Sequence, residues 1–280
     1  MGTHAISLTT WNGKSLGHKI KQGVVTKDLT RYGSEIIFRQ ETHMTGERRD
    51  SLRKSWRGCV IGPVTSSYAR GVLVWIANNI PYPDTSRTID PDGRYVVVEG
   101  MLDGAPLALA AIYAPNSVHN IFFDKITPAL LQDPHMLIIW GGDFNSVLDL
   151  DMDRSHPPVV GAACLSATHA LNEWFHNTRV HDAWRIRHPL TREYSFYSPV
   201  HKLYTRLDLF ACNTSFIPRL VGLEYLASTQ SDHNPLRMRM RWGRPCPAIP
   251  MWRLRAEALT DNLYRKSVLD QATQYFEINT

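Results

Sequence analysis

The sequence has few cysteines, and none of them is spaced for metal binding. No two of the four form a CxxC motif, and no HExxH motif occurs, which argues against a zinc site. No secretory signal opens the chain, so we expect a reduced, intracellular compartment. The four cysteines are Cys59, Cys164, Cys212 and Cys246.

Long apolar runs are also missing. No run approaches the roughly 20 residues that a membrane-spanning helix needs, so we predict no membrane partner. The N-terminus fails the myristoylation pattern because Ile6 stands where Ser or Thr is required. The GKS string at 13–15 is similar to the end of a phosphate-binding P-loop, but Leu8 occupies the place of the earlier glycine. These absences remove the membrane and P-loop classes of protein.

The composition that is present favours a folded chain with an anionic partner. Of the 280 residues, 43% are hydrophobic, which allows a sizeable core. The net charge of +5 fits a polyanionic partner such as nucleic acid, although the same excess also serves solubility.

Strand-like and helix-like segments alternate without a regular βαβ rhythm. This pattern predicts an α+β fold in which two mixed sheets pack face to face with helices outside. Helical spacing is predicted at 20–32, 120–131 and 166–176. The predicted strands are 5–10, 35–40, 71–76, 95–101, 107–113, 136–140, 206–211, 221–225 and 235–241.

The composition changes after Arg241. Three prolines within 242–250 predict an extended linker, and helical apolar spacing returns over 259–276. We therefore predict a main domain at 1–242, followed at 243–280 by a proline-rich linker and a helical segment.

Acidic residues follow two of the apolar runs. Glu41 comes directly after a predicted strand, where its carboxylate could bind a hard cation such as Mg²⁺; a turn-capping surface residue is the alternative. Asp143 and Asn145 follow another run. If the chain stays extended, both side chains face one cleft, where the acid could activate water and the amide could stabilise a phosphorane; glycines 141 and 142 would allow a sharp turn at the strand end.

A histidine lies near two more acids. His233 follows Asp232, and Asp208 is embedded in an apolar strand. A carboxylate that fixes the tautomer would let His233 act as a base or stabilise a transition state, and Asp208 is a candidate for that partner. A purely structural pair of Asp208 with Arg206 or another base is the alternative.

Seven strings in order resemble the endonuclease/exonuclease/phosphatase superfamily: TTWN, QETH, IYAPN, GGDFN, EYSFYS, TRLDLF and SDHNP. The resemblance is strongest to the endonuclease domain of long interspersed element (non-LTR) retrotransposons and extends to exonuclease III and abasic endonucleases. It runs from about residue 6 to residue 241. The tail resembles the segment that joins such an endonuclease to a reverse transcriptase, which implies a monomeric domain of a longer polyprotein.

The resemblance implies a four-layer, DNase I-like α/β sandwich that uses Mg²⁺, or Mn²⁺ as a substitute, to nick double-stranded DNA and leave a 3′-hydroxyl, with the nucleus as the site of action. The implied catalytic residues are Tyr113, Asp143, Asn145, Asp208 and His233. The implied metal ligands are Asn12, Glu41, Asp143, Asn145, Asp232 and His233. The implied substrate contacts are Arg154 and Ser195.

Two positions depart from the family pattern. Lys14 stands where a second Asn or Asp is usual, and its charge could repel a metal ion or bind a phosphate. Arg39 stands in a predicted strand where relatives carry an apolar residue, and a buried, unpaired guanidinium would be costly. Other functions therefore stay open: an abasic-site repair enzyme in which Phe196 and Leu207 line a sugar pocket, a degenerate DNA-binding remnant, and, more distantly, a phosphoinositide phosphatase.

Overall fold

The computed structural model describes residues 5–16, 18–44, 49, 52–53, 56–63, 70–117, 119–131, 135–156, 161–242 and 262–279. The chain divides into two units, Thr3–Arg244 and a smaller one that comprises Met1–Gly2 and Pro245–Thr280. The predicted linker prolines lie outside the described residues. Within the described ranges, no helix has the length and apolar character needed to cross a membrane.

Six strands form the first sheet. Their bounds are β1 Ala5–Asn12, β2 Ile36–Gln40, β3 Gly58–Ile61, β4 Leu73–Ala77, β13 Leu220–Tyr225 and β14 Leu236–Arg241. The spatial order is β13-β14-β1-β2-β4-β3. β1 pairs in parallel with β2 and antiparallel with β14, so the sheet is mixed. The central strands are buried along almost their whole length, which explains their apolar sequences.

Six further strands form the second sheet. Their bounds are β5 Asp84–Ile89, β6 Tyr95–Leu102, β7 Ala105–Tyr113, β8 Leu137–Asp143, β9 Val180–Asp182 and β12 Asp208–Asn213. The order is β5-β6-β7-β8-β12-β9, with β7 and β8 parallel. A separate hairpin consists of β10 Phe196–Ser198 and β11 Leu203–Thr205.

The four long helices lie where the apolar spacing predicts them, and two short ones were not predicted. They are α1 Lys19–Arg31, α2 His119–Leu130, α3 Ala162–Thr178, α4 Ala183–Arg187 and α5 Asn262–Asn279, with a 3₁₀ helix at Thr214–Arg219. The three long helices predicted in the main domain agree with α1, α2 and α3 to within a few residues at each end. The tail helix, α5, belongs to the smaller unit.

The two sheets pack face to face, and helices cover their outer faces. Between the sheets, Phe38 of β2 meets Phe210 of β12 edge to face, with ring centroids 5.7 Å apart. Outside the second sheet, Trp174 of α3 stacks on Phe123 of α2 at 4.6 Å and on Trp140 of β8 at 5.0 Å. α1 contributes Val25 and Leu29 to a third cluster, which covers the first sheet. These four layers confirm the predicted α+β sandwich.

Two glycines near the end of β8 are needed for close packing and not for a turn. Gly141 and Gly142 lie inside the strand and pair with β7 and β12. A Cβ atom on Gly141 would come within 2.7 Å of the Phe210 ring, and one on Gly142 within 2.0 Å of the Ile112 carbonyl oxygen. The expectation that this pair turns the chain is therefore wrong. Glycine is needed at both positions because the packed sheet leaves no room for a side chain.

Candidate active site

Five strands bring polar residues to one edge of the two sheets. β1 ends at Asn12, β7 at Tyr113 and β8 at Asp143, and β12 begins at Asp208. Glu41 follows β2 directly. Because β1 and β2 are parallel, as are β7 and β8, each pair sends its carboxyl ends to the same side. Tyr113 and Asp208 are both register partners of Asp143, so these three side chains start from neighbouring backbone positions.

Asn12 links residues of the two sheets. Its Nδ2 donates to Glu41 Oε1 at 2.9 Å and to Asp143 Oδ2 at 2.9 Å. The Tyr113 hydroxyl donates to the same Glu41 oxygen at 2.8 Å. Burial and the neighbouring Glu41 raise the pKa of Tyr113, so its hydroxyl keeps its proton. One hydrogen-bonded group therefore joins two carboxylates, an amide and a phenol.

The His233 ring is held by a hydrogen bond at one nitrogen and by an aromatic side chain at its face. Its Nδ1 lies 2.7 Å from Asp208 Oδ2, a hydrogen bond, while its Nε2 lies 3.9 Å from Asp143 Oδ2, too far for one. The Trp11 indole N–H donates to the His233 carbonyl oxygen at 3.0 Å, and the Phe196 ring packs on the imidazole at 4.7 Å. With Nδ1 held by Asp208, Nε2 is the nitrogen nearest Asp143.

Burial and neighbouring charges set the acid–base properties of this group. Burial raises the pKa of Asp143 to about 7; the charge of His233 and a hydrogen bond from Asn12 oppose the rise, and Asp208 adds to it. Burial alone would lower the pKa of His233, but the charges of Asp208 and Asp143 outweigh it and raise that pKa to about 9. Near neutral pH the imidazole is protonated, and Asp143 is close to the midpoint that suits a general base.

Asn145 reaches the site through a turn. The extended chain considered for residues 143–145 is not formed, and the alternative of an Asx turn is, because β8 ends at Asp143 and Asn145 has a φ of 48°. The Asn145 backbone N–H donates to Asp143 Oδ1 at 3.0 Å, and its Nδ2 donates to the Ala114 carbonyl oxygen at 2.7 Å. The side chain of Asp143 therefore closes the turn that places Asn145 beside it.

Asp232 forms an ion pair at the solvent side of the site. Its Oδ2 lies 2.7 Å from Lys14 Nζ, and its Oδ1 lies 3.3 Å from Ser231 Oγ. Ser231 Oγ also donates to the Asn12 carbonyl oxygen at 2.8 Å, which attaches this loop to the end of β1. Metal ligation by Asp232 stays a prediction, and the structure gives its carboxylate an internal cation as partner.

Ser195 and Arg154, the predicted substrate contacts, differ in their surroundings. Ser195 is 1% exposed, and its Oγ accepts from the backbone N–H groups of Leu207 and Asp208, both at 3.0 Å. This geometry makes Ser195 a residue that positions Asp208. Arg154 donates from Nη1 to Cys164 Sγ at 3.1 Å and lines a cavity next to the site. Contact of either residue with DNA stays a prediction.

That cavity, of about 250 Å³, opens beside Asn145. Arg154 and Leu207 line it together with His119, which is 5% exposed. His119 Nε2 and Ser146 Oγ, both at this cavity, have no hydrogen-bond partner in the part of the chain that the structure describes. Another cavity, of about 530 Å³, lies beside Glu35, at the opposite end of the strand that leads to Glu41, and is therefore remote from the acids described above.

The donor set fits a hard divalent cation. Mg²⁺ and Mn²⁺ prefer carboxylate and amide oxygens, and the carboxylates of Glu41 and Asp143 lie on either side of the Asn12 amide. The Asn12 nitrogen faces both carboxylates, and Asn12 Oδ1 accepts from the Lys14 backbone N–H at 3.1 Å, so ligation through this oxygen requires the amide to turn over. Ligand atoms of Asp143, Asp208 and His233 also lie within 4.8 Å of one another. Asp208 Oδ1 is buried and has no hydrogen-bond partner within the described ranges, so a nearby cation could satisfy this acceptor.

One structural cluster escapes sequence reasoning. Arg206 is fully buried and donates from Nε to Asp153 at 2.8 Å and from Nη2 to Asp182 at 2.6 Å. Arg185 also pairs with Asp153. This Arg206 cluster, which consists of Arg206, Asp153, Asp182 and Arg185, fixes the chain two residues before Asp208. The alternative pairing of Arg206 with Asp208 is wrong. An arginine at the start of an apolar run indicates a buried acid, but the spacing does not say which one.

Comparison with known proteins agrees with this geometry. Residues 10–233 match the model of the Endonuclease/Exonuclease/phosphatase family. The Transposon TX1 uncharacterized 149 kDa protein of Xenopus laevis is 26% identical over 271 residues. That alignment covers 95% of this chain and 20% of the relative, so the chain spans about a fifth of the relative's length.

Two solved structures share the fold. The AP endonuclease LMAP from Leishmania major has a TM-score of 0.68 and 17% identity, with 85% of this chain and 88% of that chain covered. The endonuclease domain of TRAS1, a telomere-specific non-LTR retrotransposon, has a TM-score of 0.62 and 14% identity, with 85% and 100% covered.

Proposed function

The chain belongs to the Endonuclease/Exonuclease/phosphatase family, and we propose that it is a divalent-metal-dependent endonuclease that nicks double-stranded DNA and leaves a 3′-hydroxyl. The observation that carries this proposal is the hydrogen-bonded group of Asn12, Glu41, Asp143 and Tyr113, with His233 3.9 Å away across the same edge. The likeness of the chain to the TX1 transposon protein and to the TRAS1 endonuclease domain supports a role in nicking the target site of a retrotransposon.

Asn12, Glu41 and Asp143 would hold Mg²⁺, or Mn²⁺ in its place. When bound, the ion neutralises charge on the phosphate and on the leaving 3′ oxygen. The residues of the chain supply the remaining chemistry. Asp143, whose Oδ2 lies 3.9 Å from His233 Nε2 at the same edge, is placed to accept a proton from the attacking water.

His233 contributes positive charge at the other side of the scissile group. Its pKa is raised to about 9, so the imidazolium can donate from Nε2 to a phosphate oxygen as negative charge develops. Asp208 keeps the proton on Nδ1 and holds the ring in place through the 2.7 Å hydrogen bond. Tyr113 keeps its hydroxyl hydrogen and stays available as a donor beside Glu41.

Nicking of supercoiled plasmid tests the proposal. With Mg²⁺ we expect open circles whose ends a DNA polymerase extends, since extension requires a 3′-hydroxyl. EDTA and Asp143→Ala should both abolish nicking, while Asp124→Ala, an exposed acid on α2, should leave it unchanged. Nicking that survives both EDTA and Asp143→Ala would refute a metal-dependent site built on this residue. Duplex binding without any nicking would identify a degenerate remnant.

An abasic-site endonuclease is the second candidate, favoured by the cavity of about 250 Å³ beside Asn145. Leu207 lines this cavity, as expected for a sugar pocket, whereas Phe196 packs on His233. Matched duplexes with and without one abasic site separate the candidates. Strong preference for the abasic strand would place the repair activity first.

We further propose that this endonuclease is a domain of a longer protein that also contains a reverse transcriptase, and that it acts in the nucleus on chromosomal DNA. The support is its likeness to a transposon protein of which it spans about a fifth. Gel filtration of the chain, expected to show a monomer, and localisation of a tagged full-length protein are the corresponding measurements.

A further inference from the structure

Lys14 has an unusual place in the active site. It lies two residues after Asn12, at the end of β1, and has a φ of 43°, in the left-handed region. Its backbone N–H donates to Asn12 Oδ1 at 3.1 Å, and its carbonyl oxygen accepts from Lys21 Nζ at 2.6 Å. These contacts hold the Lys14 backbone against the residue that links the two sheets.

The side chain of Lys14 extends from this anchored backbone to Asp232, 218 residues away in sequence. Nζ lies 2.7 Å from Asp232 Oδ2, while Asp232 Oδ1 contacts Ser231 Oγ at 3.3 Å. Lys14 therefore engages one carboxylate oxygen of Asp232, and the Ser231 hydroxyl, which donates to the Asn12 carbonyl oxygen at 2.8 Å, lies 3.3 Å from the other. A metal ion at Asp232 would compete with this ammonium for the carboxylate.

The site contains four acids, which their partners divide into two pairs: Asp232 with Asp208, and Glu41 with Asp143. Asp232 is paired with Lys14, and Asp208 is hydrogen-bonded to His233. Among the described residues, Glu41 and Asp143 have no hydrogen bond to a basic side chain and are joined through the Asn12 amide, while His233 Nε2 lies 3.9 Å from Asp143. These two carboxylates can serve as ligands of one divalent cation, and a second ion would need a further acid.

We propose that Lys14 is a built-in cation of this site: it occupies Asp232 in place of a second divalent ion, so that the enzyme binds a single ion, at Glu41 and Asp143. The inference rests on the proposed metal-dependent nuclease and specifies its metal requirement. It replaces the expectation that Asp232 is a metal ligand. An ammonium on a side chain that is 64% exposed keeps donors available at the solvent side, where the DNA phosphates would lie.

Counting bound Mn²⁺ ions tests the proposal without reference to activity. Electron paramagnetic resonance of free Mn²⁺, in a titration of the folded chain, should give one bound ion per chain. Lys14→Asp releases Asp232 and adds a carboxylate next to it, so this variant should bind two. Lys27→Asp, at an exposed position of α1, makes the same charge change away from the site and should still bind one.

Asp232→Asn provides an independent arm. Because Asp232 is not a ligand under this proposal, the variant should bind one Mn²⁺ with an affinity within about twofold of the wild type. Two ions on the wild type, one ion on Lys14→Asp, or a loss of the ion in Asp232→Asn would each overturn the inference. Circular dichroism melting verifies that every variant is folded. If Lys14→Asp does not fold, Lys14→Asn replaces it.

Different results would reject the role of Lys14 and the metal-dependent nuclease activity. A wild-type chain that binds two Mn²⁺ ions and nicks plasmid DNA retains the proposed function and rejects the role of Lys14. A wild-type chain that binds no Mn²⁺ and does not nick DNA rejects the metal-dependent nuclease itself, and the role of Lys14 falls with it.

Discussion

At the scale of single residues, the protonation of His233 depends on one buried carboxylate. Asp208→Asn removes the charge that most strongly opposes the effect of burial, so the pKa of His233 should fall well below about 9. The alkaline limb of the pH–rate profile should then move to lower pH, because the imidazolium is lost earlier. We expect nicking at pH 7 to fall by about 10²–10⁴-fold, the usual contribution of an acid–base group.

NMR titration of the His233 ring checks this directly. Asp124→Asn, which changes an exposed acid on α2, serves as the matched control and should leave both the ring titration and the pH–rate profile unchanged. An unaltered titration of His233 in Asp208→Asn would mean that Asp208 does not set its charge.

A second prediction concerns Gly13 and Arg39. The Arg39 guanidinium is buried, finds no hydrogen-bond partner among the described residues and stacks on Trp11 at 4.6 Å. A Cβ atom on Gly13 would lie 1.7 Å from Arg39 Nη2, and the enclosed guanidinium cannot move into solvent. Gly13→Ala should therefore lower the free energy of unfolding by about 1–3 kcal/mol. Arg39→Met removes an unpaired buried charge and should raise the free energy of unfolding.

Urea denaturation of both single variants and the double variant measures the coupling. In an Arg39→Met background, Gly13→Ala should cost less, with a coupling of about 0.5–3 kcal/mol. Gly23→Ala is the control: it lies within α1 with no atom near its added Cβ and should stabilise by about 1 kcal/mol. Additive costs at Gly13 and Arg39 would contradict the clash.

The residue identities of the site could be predicted from sequence, but several of its contacts could not. Motifs at strand ends place Asn12, Glu41 and Asp143 at one edge, because parallel strands end together. Nothing in the spacing indicates that Lys14 reaches Asp232, or that Trp11 donates to the loop of His233. Such contacts join residues more than 200 positions apart and depend on the three-dimensional pairing of β1 with β14.

At the scale of elements, the Arg206 cluster holds together the segments that precede the catalytic strand β12. Its arginine joins the Asp153 loop to Asp182, at the end of β9, inside the protein. Arg206→Leu would leave two buried carboxylates with one fewer cation, so we expect a loss of about 3–5 kcal/mol in the free energy of unfolding. Arg187→Leu, at an exposed position of α4, should change it by less than about 0.5 kcal/mol.

Chemical denaturation with both variants gives the comparison. Equal stabilities for Arg206→Leu and Arg187→Leu would show that the two carboxylates are neutralised in another way. In a plasmid nicking assay under conditions where both variants are folded, Arg206→Leu should nick less than Arg187→Leu. The reason is that the Arg206 cluster lies next to the start of β12, where Asp208 is located.

Short or edge elements are the ones that the sequence does not predict. β9, β10 and β11 have three residues each, too few for a recognisable alternation. β5 lies at the edge of its sheet and has the polar sequence DTSRTI, so pairing with β6 decides its structure. The long buried strands and the amphipathic helices, in contrast, carry their own patterns and lie where predicted.

At the scale of the whole molecule, the sandwich ends with an anchored tryptophan. Trp242 directly follows β14, is 3% exposed and donates from Nε1 to the Leu102 carbonyl oxygen at 3.1 Å. Arg219 covers its ring at 4.4 Å. The core therefore includes one residue beyond the last strand, and the domain boundary after residue 242 stays a prediction.

Two shortened chains test this boundary. A chain that ends at Arg244 keeps Trp242, and a chain that ends at Arg241 lacks it, so the second should be less stable by about 3–5 kcal/mol, as for the loss of a buried aromatic side chain. Urea titration followed by circular dichroism measures the difference. The Trp242→Ala variant of the full chain separates the loss of the side chain from the loss of the backbone. If the chain ending at Arg241 matched the one ending at Arg244, Trp242 would not belong to the core, and the boundary would move to the end of β14.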